Sequence, residues 1–306
     1  MSSDESPGPN QDRSQVLLAG AKVNLYLRIL GHREDGLHEL ESVFLPLTRP
    51  RDRLLLESAV PGAGLVLTCS QRELETPSNI LYATYRVFGD RTGMYPDLKL
   101  HLDKEIPSGA GLGGGSSDAA AFLMHLNSLL SQSRRLSLAE LRHLAGRIGS
   151  DVPFFLTNQA ALVTGAGESI EPIALDLGAV SLVLVCPEYR VPTAEAYAAW
   201  DRQNRRQGSA RLQQKDLTDR TGRFTKGFRF SGFLCWNDFE QVVFCTYPAL
   251  RSLKEALLKQ GAAAVTLTGS GSALVAFFHS QTLVAHACSW LKENRISCYV
   301  TEQWGV

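Results

Sequence analysis

Between Ile106 and Asn127 the chain reads IPSGAGLGGGSSDAAAFLMHLN, with five glycines in the seven positions from Gly109 to Gly115. Ordered glycine loses more conformational entropy than any other residue, so this density implies close approach of the main chain to a ligand, most often phosphate. A Walker-type loop requires a lysine after its second glycine. Gly109 and Gly114 have the spacing, but Gly115 stands where that lysine must be. A dinucleotide fingerprint is formally present as Gly109, Gly111 and Gly114. The segment before it alternates instead of running apolar, Pro107 intervenes, and Arg134 and Arg135 occupy the region where an acid is needed. The remaining chemistry needs no lysine: main-chain N–H groups wrap a polyphosphate, and a helix predicted to open near Ser117 directs its positive end at the same anion. Ser116 and Ser117 could cap that helix or touch phosphate or a metal ion. The rival reading is a plain glycine turn joining strand to helix.

The elements that must position this loop follow from the hydrophobic pattern. From Val23, apolar residues alternate (Val23, Leu25, Leu27, Ile29) against Lys22, Asn24, Tyr26 and Arg28, which predicts a strand with Lys22 and Asn24 on one face. Asp35-Gly36 marks a turn and Leu37–Leu47 a returning strand, with further short strands at Leu54–Glu57 and Gly64–Cys69. A helix capped at Ser78 and a strand over Asp97–Leu102 lead to the glycine loop. Ser137 with Glu140 has the spacing of a capping box opening a helix to Ile148. Past Asp151 come VPFFL, a strand, the turn GAGES, and the apolar strand at Ser181. Asp201–Arg229 reads as a polar surface excursion. A helix stopping at Gly261, a strand, a second glycine turn (Gly269, Gly271), another strand, the helix Thr282–Lys292 and a strand Ile296–Val300 complete an α+β order that suggests two lobes.

The 306 residues are 44% apolar and carry 31 basic against 31 acidic side chains, so no electrostatic drive toward nucleic acid or a membrane surface is expected. No apolar run approaches the roughly 20 residues of a membrane helix. The start, MSSDESPGPNQDRSQ, lacks the marks of a signal or transit peptide and reads as a disordered tail over residues 1–14, which points to the cytoplasm. The six cysteines are scattered without a CxxC pair or a nearby Cys/His cluster. Reduced core thiols are expected, and a zinc site is not.

The loop PSGAGLGGGSSDAA resembles the phosphate-binding signature of the GHMP small-molecule kinases, and AKVNLYL at Ala21, DGLHELESVF at Asp35, GSDVPFFL at Gly149, NDFE at Asn237 and LTGSGSALVAFF at Leu267 match that family in the same order. The resemblance implies an α+β protein of two lobes. Residues 15–166 would form an ATP-binding lobe of ribosomal protein S5 domain 2-like fold, and residues 167–306 a second lobe with an α/β sandwich. It implies an enzyme using ATP and Mg2+ to phosphorylate an alcohol, and the GGGSSDAA form points to the branch whose substrate is a methylerythritol carrying a cytidine diphosphate. A mevalonate- or homoserine-type kinase, or a nucleotide-binding protein without catalysis, is the alternative. Pro107, Gly109, Gly111, Leu112, Gly113, Gly114, Gly115, Ser116 and Ser117 would bind the nucleotide.

The resemblance makes Asp151 the base that accepts the hydroxyl proton and Lys22 its cationic partner. From the residues alone, Lys22 could lie on the wet face of a strand and Asp151 could cap the helix made by VPFFL. Asn24, His38, Thr193 and Tyr197 would bind substrate, with His38 reading the cytosine edge through one donor and one acceptor nitrogen. The family's tyrosine before that histidine is Leu37 here, which weakens base stacking by about 1 kcal/mol. Asn79 would contact the nucleotide, and Gly269-Ser270-Gly271 resembles the family's third motif; a helix cap and a plain turn explain the same residues. Asp238 and Glu240 read as helix-start acids. No magnesium ligand is assigned, and the protein is expected as a monomer or homodimer.

Overall fold

A computed structural model of the chain describes residues 14–177, 179–207, 228–229 and 235–301. The expected tail lies outside these residues except for Ser14, as does most of the expected excursion beyond residue 207. The elements run β1 (Gln15–His32), β2 (His38–Ser58), β3 (Leu65–Cys69), α1 (Ile80–Thr92), β4 (Leu98–Asp103), α2 (Gly114–Ser128), α3 (Leu138–Ile148) and α4 (Val152–Phe155). Then follow β5 (Ala161–Gly165), β6 (Ser169–Pro172), β7 (Leu175–Asp176), β8 (Ser181–Cys186), α5 (Thr193–Gln207), β9 (Phe228–Arg229) and β10 (Trp236–Asn237). The last are α6 (Glu240–Thr246), α7 (Pro248–Lys259), β11 (Ala264–Leu267), β12 (Leu274–Phe278), α8 (Gln281–Glu293) and β13 (Ser297–Thr301).

The two expected strands over Leu37–Leu47 and Leu54–Glu57 are one. β2 pairs β1 along its length, β5 through Leu40–Phe44 and β4 through Arg53–Ser58. A single strand serves two neighbours because its halves meet different partners. The first sheet is ordered β10-β1-β2-β4-β3, with β5 and β6 branching from β2; the second is ordered β11-β12-β8-β13. Asp201 to Gln207, expected in a loop, continue α5, whose apolar positions Ala196 and Trp200 are buried at helical spacing.

Three apolar layers hold the two lobes. One face of the first sheet (Leu54, Leu56, Leu100, Leu102) packs on α1 to α4 through Phe88, Phe122, Leu123 and Phe154. Val23, Leu25, Val43, Leu45 and Leu47 meet Leu182, Leu184, Val275 and Phe277 of the second sheet. The second sheet's far face (Val183, Val185, Ala276, Phe278) carries Trp200, Val243, Leu250, Leu257 and Leu291 from the later helices. Each such side chain removed from water stabilises by about 1.5–3 kcal/mol. No helix among the described residues is long and apolar enough to cross a membrane.

The alternation expected along β1 breaks where it matters. Register shifts fall between Gly20 and Lys22 and between Asn24 and Tyr26. Tyr26 thereby joins Leu25 in the core between the sheets, while Lys22 and Asn24 are left between two irregularities. Bulges re-aim side chains in this way without ending the strand.

Candidate active site

The glycine loop is built from left-handed backbone. Gly109, Gly111 and Gly113 have φ of 73°, 80° and 69°. At Gly111 a Cβ would lie 2.5 Å from the Thr268 carbonyl oxygen, so only glycine lets the loop touch the turn that follows β11. Gly113 is the N-cap of α2, which starts three residues before the expected Ser117, and no side chain caps it. Ser117 instead donates its N–H to the Gly113 carbonyl at 2.9 Å, the first intrahelical bond. The amides of Gly114, Gly115 and Ser116 therefore stand in the helix's first turn, without intrahelical acceptors and at its positive end. Pro107, Gly109, Gly111, Leu112, Gly113, Gly114, Gly115 and Ser116 line one cleft of about 520 Å³; Ser117 lies just behind it, buried. Asn79 lines the same cleft. It, and not Ser78, caps α1, accepting from the Leu81 N–H at 3.0 Å.

Lys22 is not on a wet face: it is 4% exposed. Its main-chain N–H donates to the Leu112 carbonyl at 2.9 Å, which ties β1 to the glycine loop. Its ammonium lies 4.3 Å above the Phe44 ring and donates to Asn24 Oδ1 at 2.8 Å. The same Nζ is 3.5 Å from Asp151 Oδ2. Asp151 stands at the N-cap of α4, but its side chain makes no capping bond, and it is 30% exposed. The capping explanation thus fails, and the carboxylate projects to Lys22 at the end of the glycine loop.

The turn after β11 closes the site from the second lobe. Thr268 Oγ1 accepts the Asn24 N–H at 2.8 Å, and Ala273 N–H donates to the Ala110 carbonyl at 3.3 Å. Ser270 shares a 2.9 Å hydroxyl contact with Thr193 at the start of α5. NDFE does more than begin a helix. Asn237 donates to the Leu267 and Gly269 carbonyls, both at 2.8 Å, and Asp238 Oδ2 accepts the Ile29 N–H at 2.9 Å. Glu240 accepts the Leu267 N–H at 2.9 Å and pairs with Lys254 at 2.7 Å.

A group that sequence reasoning missed lies at the edge of the cleft. Lys104 donates to Asp52 and, at 3.0 Å, to Asp118, and all three are almost fully buried. Asp52 also accepts the N–H groups of Glu105 and Ile106 at 2.7 and 2.8 Å, fixing the chain into Pro107. Burial pushes the Asp118 carboxyl up to about 8 against the pull of Lys104, and its Oδ1 has no hydrogen-bond partner among the described residues. The charges of Asp118 and Asp52 outweigh burial at Lys104 and raise it. The one local signal is the DKEIP segment just ahead of the glycines.

The expected substrate residues divide: Asn24 lies on the Lys22 ammonium and Thr193 on the Ser270 turn, while His38 and Tyr197 meet each other. His38 stacks on Tyr197 with ring centroids 4.4 Å apart and 24° between planes, and Tyr197 packs edge-on to Phe239 at 4.8 Å. Burial, with the Asp151 charge adding to it, pushes the Tyr197 hydroxyl up to about 12. His38 Nε2 meets Asp201 Oδ1 at 2.8 Å, a partner that the sequence pattern did not indicate. Leu37 is not part of this stack: it is 54% exposed and lines a separate cleft with Arg33, Arg142 and Glu168. All six cysteines are unpaired.

A glycine loop aimed by a helix start, with a lysine–aspartate pair at its end, suits transfer of a phosphoryl group to an alcohol. Two family models match, the GHMP kinases N terminal domain over residues 79–159 and the GHMP kinases C terminal over residues 220–294. The chain is 40% identical over 286 residues to a 4-diphosphocytidyl-2-C-methyl-D-erythritol kinase of Nitratidesulfovibrio vulgaris, covering 93% of this chain and 97% of that protein. It is 42% identical over 289 residues to the kinase of the same name from Solidesulfovibrio magneticus, covering 93% and 95%. A crystal structure of 4-(cytidine 5'-diphospho)-2C-methyl-D-erythritol kinase superposes with a TM-score of 0.74 at 30% identity, over 95% of this chain and all of that one. A homoserine kinase from Cytophaga hutchinsonii shares the fold at TM-score 0.64 and 17% identity, over 98% of each chain. The chain belongs to the GHMP kinases.

Proposed function

We propose that this protein transfers the γ-phosphoryl group of ATP to the 2-hydroxyl of 4-diphosphocytidyl-2-C-methyl-D-erythritol, with residues 15–166 holding ATP and residues 167–306 completing the substrate site. The observation that carries the reaction is the Lys22–Asp151 pair, 3.5 Å apart where β1 meets the glycine loop. The Gly114, Gly115 and Ser116 amides and the start of α2 hold the β- and γ-phosphates. Asp151 takes the hydroxyl proton as the new P–O bond forms and the bond to the β-phosphate oxygen breaks, releasing ADP. Lys22 offsets the charge that develops on the alcohol oxygen and the transferred group. Asn24 holds the lysine, and Thr193, His38 and Tyr197 receive the substrate's polar chain and base.

Magnesium fits a cleft whose polar lining (Glu73, Ser116) bears oxygen, and would ride chiefly on the nucleotide phosphates, neutralising their charge. The substrate choice is supported by the relatives of that name at 40% and 42% identity. Both reactants are small soluble molecules, so we place the enzyme in the cytoplasm, as a monomer or homodimer. ADP release from ATP and Mg2+ with this substrate, beside mevalonate and homoserine controls, is the test. Turnover is expected with the cytidine substrate alone, and Asp151→Asn should lower kcat by about 10²–10⁴-fold with ATP binding retained. Turnover with a control alcohol only would move the substrate; undiminished turnover by the variant would remove Asp151 from the mechanism.

A further inference from the structure

The hairpin between β1 and β2 ends in a pair of imidazoles. His32, the last residue of β1, lies opposite His38, the first of β2, with ring centroids 4.5 Å apart. Both Nε2 atoms reach the same carboxylate oxygen, Asp201 Oδ1, at 2.9 and 2.8 Å. Asp201 comes from α5, one turn beyond Tyr197, so three nitrogen and oxygen donors from both lobes lie within 4.8 Å of one another. This is the one such group of metal-ligating side chains among the described residues.

We propose that His32, His38 and Asp201 bind a zinc-class divalent ion, and that the bound ion excludes the cytidine end of the substrate. Two imidazoles and one carboxylate suit zinc and its first-row neighbours, whereas magnesium and calcium take oxygen donors. Zinc bonds of roughly 2.0–2.2 Å place ligand atoms about 3.3 Å apart in a tetrahedron. The observed His–Asp separations need to open only slightly. His32, 48% exposed at its side chain, has room to turn and leaves a fourth position toward solvent. Each imidazole then carries its proton on Nδ1 and ligates through Nε2. Tyr197 stacked on His38, and Trp200 edge-on at 5.8 Å, hold the less exposed ring in place. An ion here occupies His38 Nε2 and clamps α5 to the hairpin over a sequence distance of 163 residues. The exclusion rests on the reading of His38 as the residue that meets the base; the binding does not.

The experiment titrates chelator-treated full-length protein with Co2+ and follows its visible ligand-field absorption, then measures ADP release with and without Zn2+ at saturating ATP and Mg2+. One Co2+ per chain is expected, displaced by Zn2+, with Zn2+ raising KM for the cytidine substrate in proportion to its concentration over its dissociation constant and leaving KM for ATP unchanged. His32→Ala should lose the absorption and the inhibition while its metal-free kinetics match the parent protein; Asp201→Asn should lose the absorption as well. Absorption retained in both variants would overturn the site and assign the metal to other ligands. Absorption lost in both, with zinc inhibition that the cytidine substrate does not relieve, would overturn the exclusion alone. Because the absorption needs no turnover, it is read even if the kinase substrate proves to be another.

Discussion

The glycine-loop centre and the His38 corner lie in one molecule but are held by different means. The centre is fixed by main chain: Gly111 against the Thr268 carbonyl, Lys22 N–H on the Leu112 carbonyl, and Asp52 on two successive amides. The corner is held across the lobes by side chains: a ring stack, and a carboxylate between two imidazoles, joining a hairpin end to a half-buried helix face. Main-chain contacts have no rotamers to lose, so the centre can present phosphate donors in one geometry. Ring contacts can swing, so the corner can open: with centroids 4.4 Å apart, Tyr197 and His38 leave no space for a base between them. Under the proposed function, chemistry would fall to the half held by main chain and recognition to the half held by side chains.

The sharpest way to break that contrast is Gly111→Ala. A left-handed φ of 80° and a Cβ meeting a carbonyl at 2.5 Å force the loop off the Thr268 turn. We expect a loss of about 2–3 kcal/mol in stability and of ATP affinity, read by denaturant unfolding and nucleotide titration. An unchanged ATP affinity would mean that the loop's backbone does not hold the phosphates. Next in size is Tyr197→Ala. It should raise KM for the cytidine substrate about tenfold, ~1.4 kcal/mol, with kcat and KM for ATP little changed. Steady-state kinetics in both substrates decide it, since a fall in kcat alone would place Tyr197 with the chemistry.

The smallest effect tests what supports the rigid half. Asp118 titrates near 8 in the folded chain against 3.8 for an ordinary aspartate, so the folded state keeps a proton that the unfolded chain releases between those values. Its contribution is fully present below about 4 and is lost as pH rises through about 8. Melting temperature should therefore fall from pH 6 to pH 9 more steeply in the parent protein than in Asp118→Asn. Parallel curves would show that Asp118 is ionised throughout that range.

Local features of the chain carried much of this. Glycine density marked the loop whose main chain closes on the Thr268 turn, and the Ser137–Glu140 box forms as its spacing implied. The order of motifs placed the glycine loop, the Asp151 segment and the second glycine turn in one family pattern. What could not be read locally depended on contacts between distant segments. The start of α2 moved to Gly114 because Gly113 takes the cap in a left-handed turn, displacing the serines that looked like caps. Lys22 looked like a solvated lysine because alternation cannot show which face another element will cover; bulges and the Phe44 ring buried it.

The sequence by itself determined most of the strands and helices and the glycine loop, because turn chemistry, caps and apolar period act within a few residues. It could not determine that Asp118 would share Lys104 with Asp52, or that Asp201 would lie between His32 and His38. Nor could it bring Lys22 within 3.5 Å of Asp151. Those pairings join residues whose only connection is the packing of two sheets and their helices, and the burial of apolar faces, not any local preference, decided which charges were brought together.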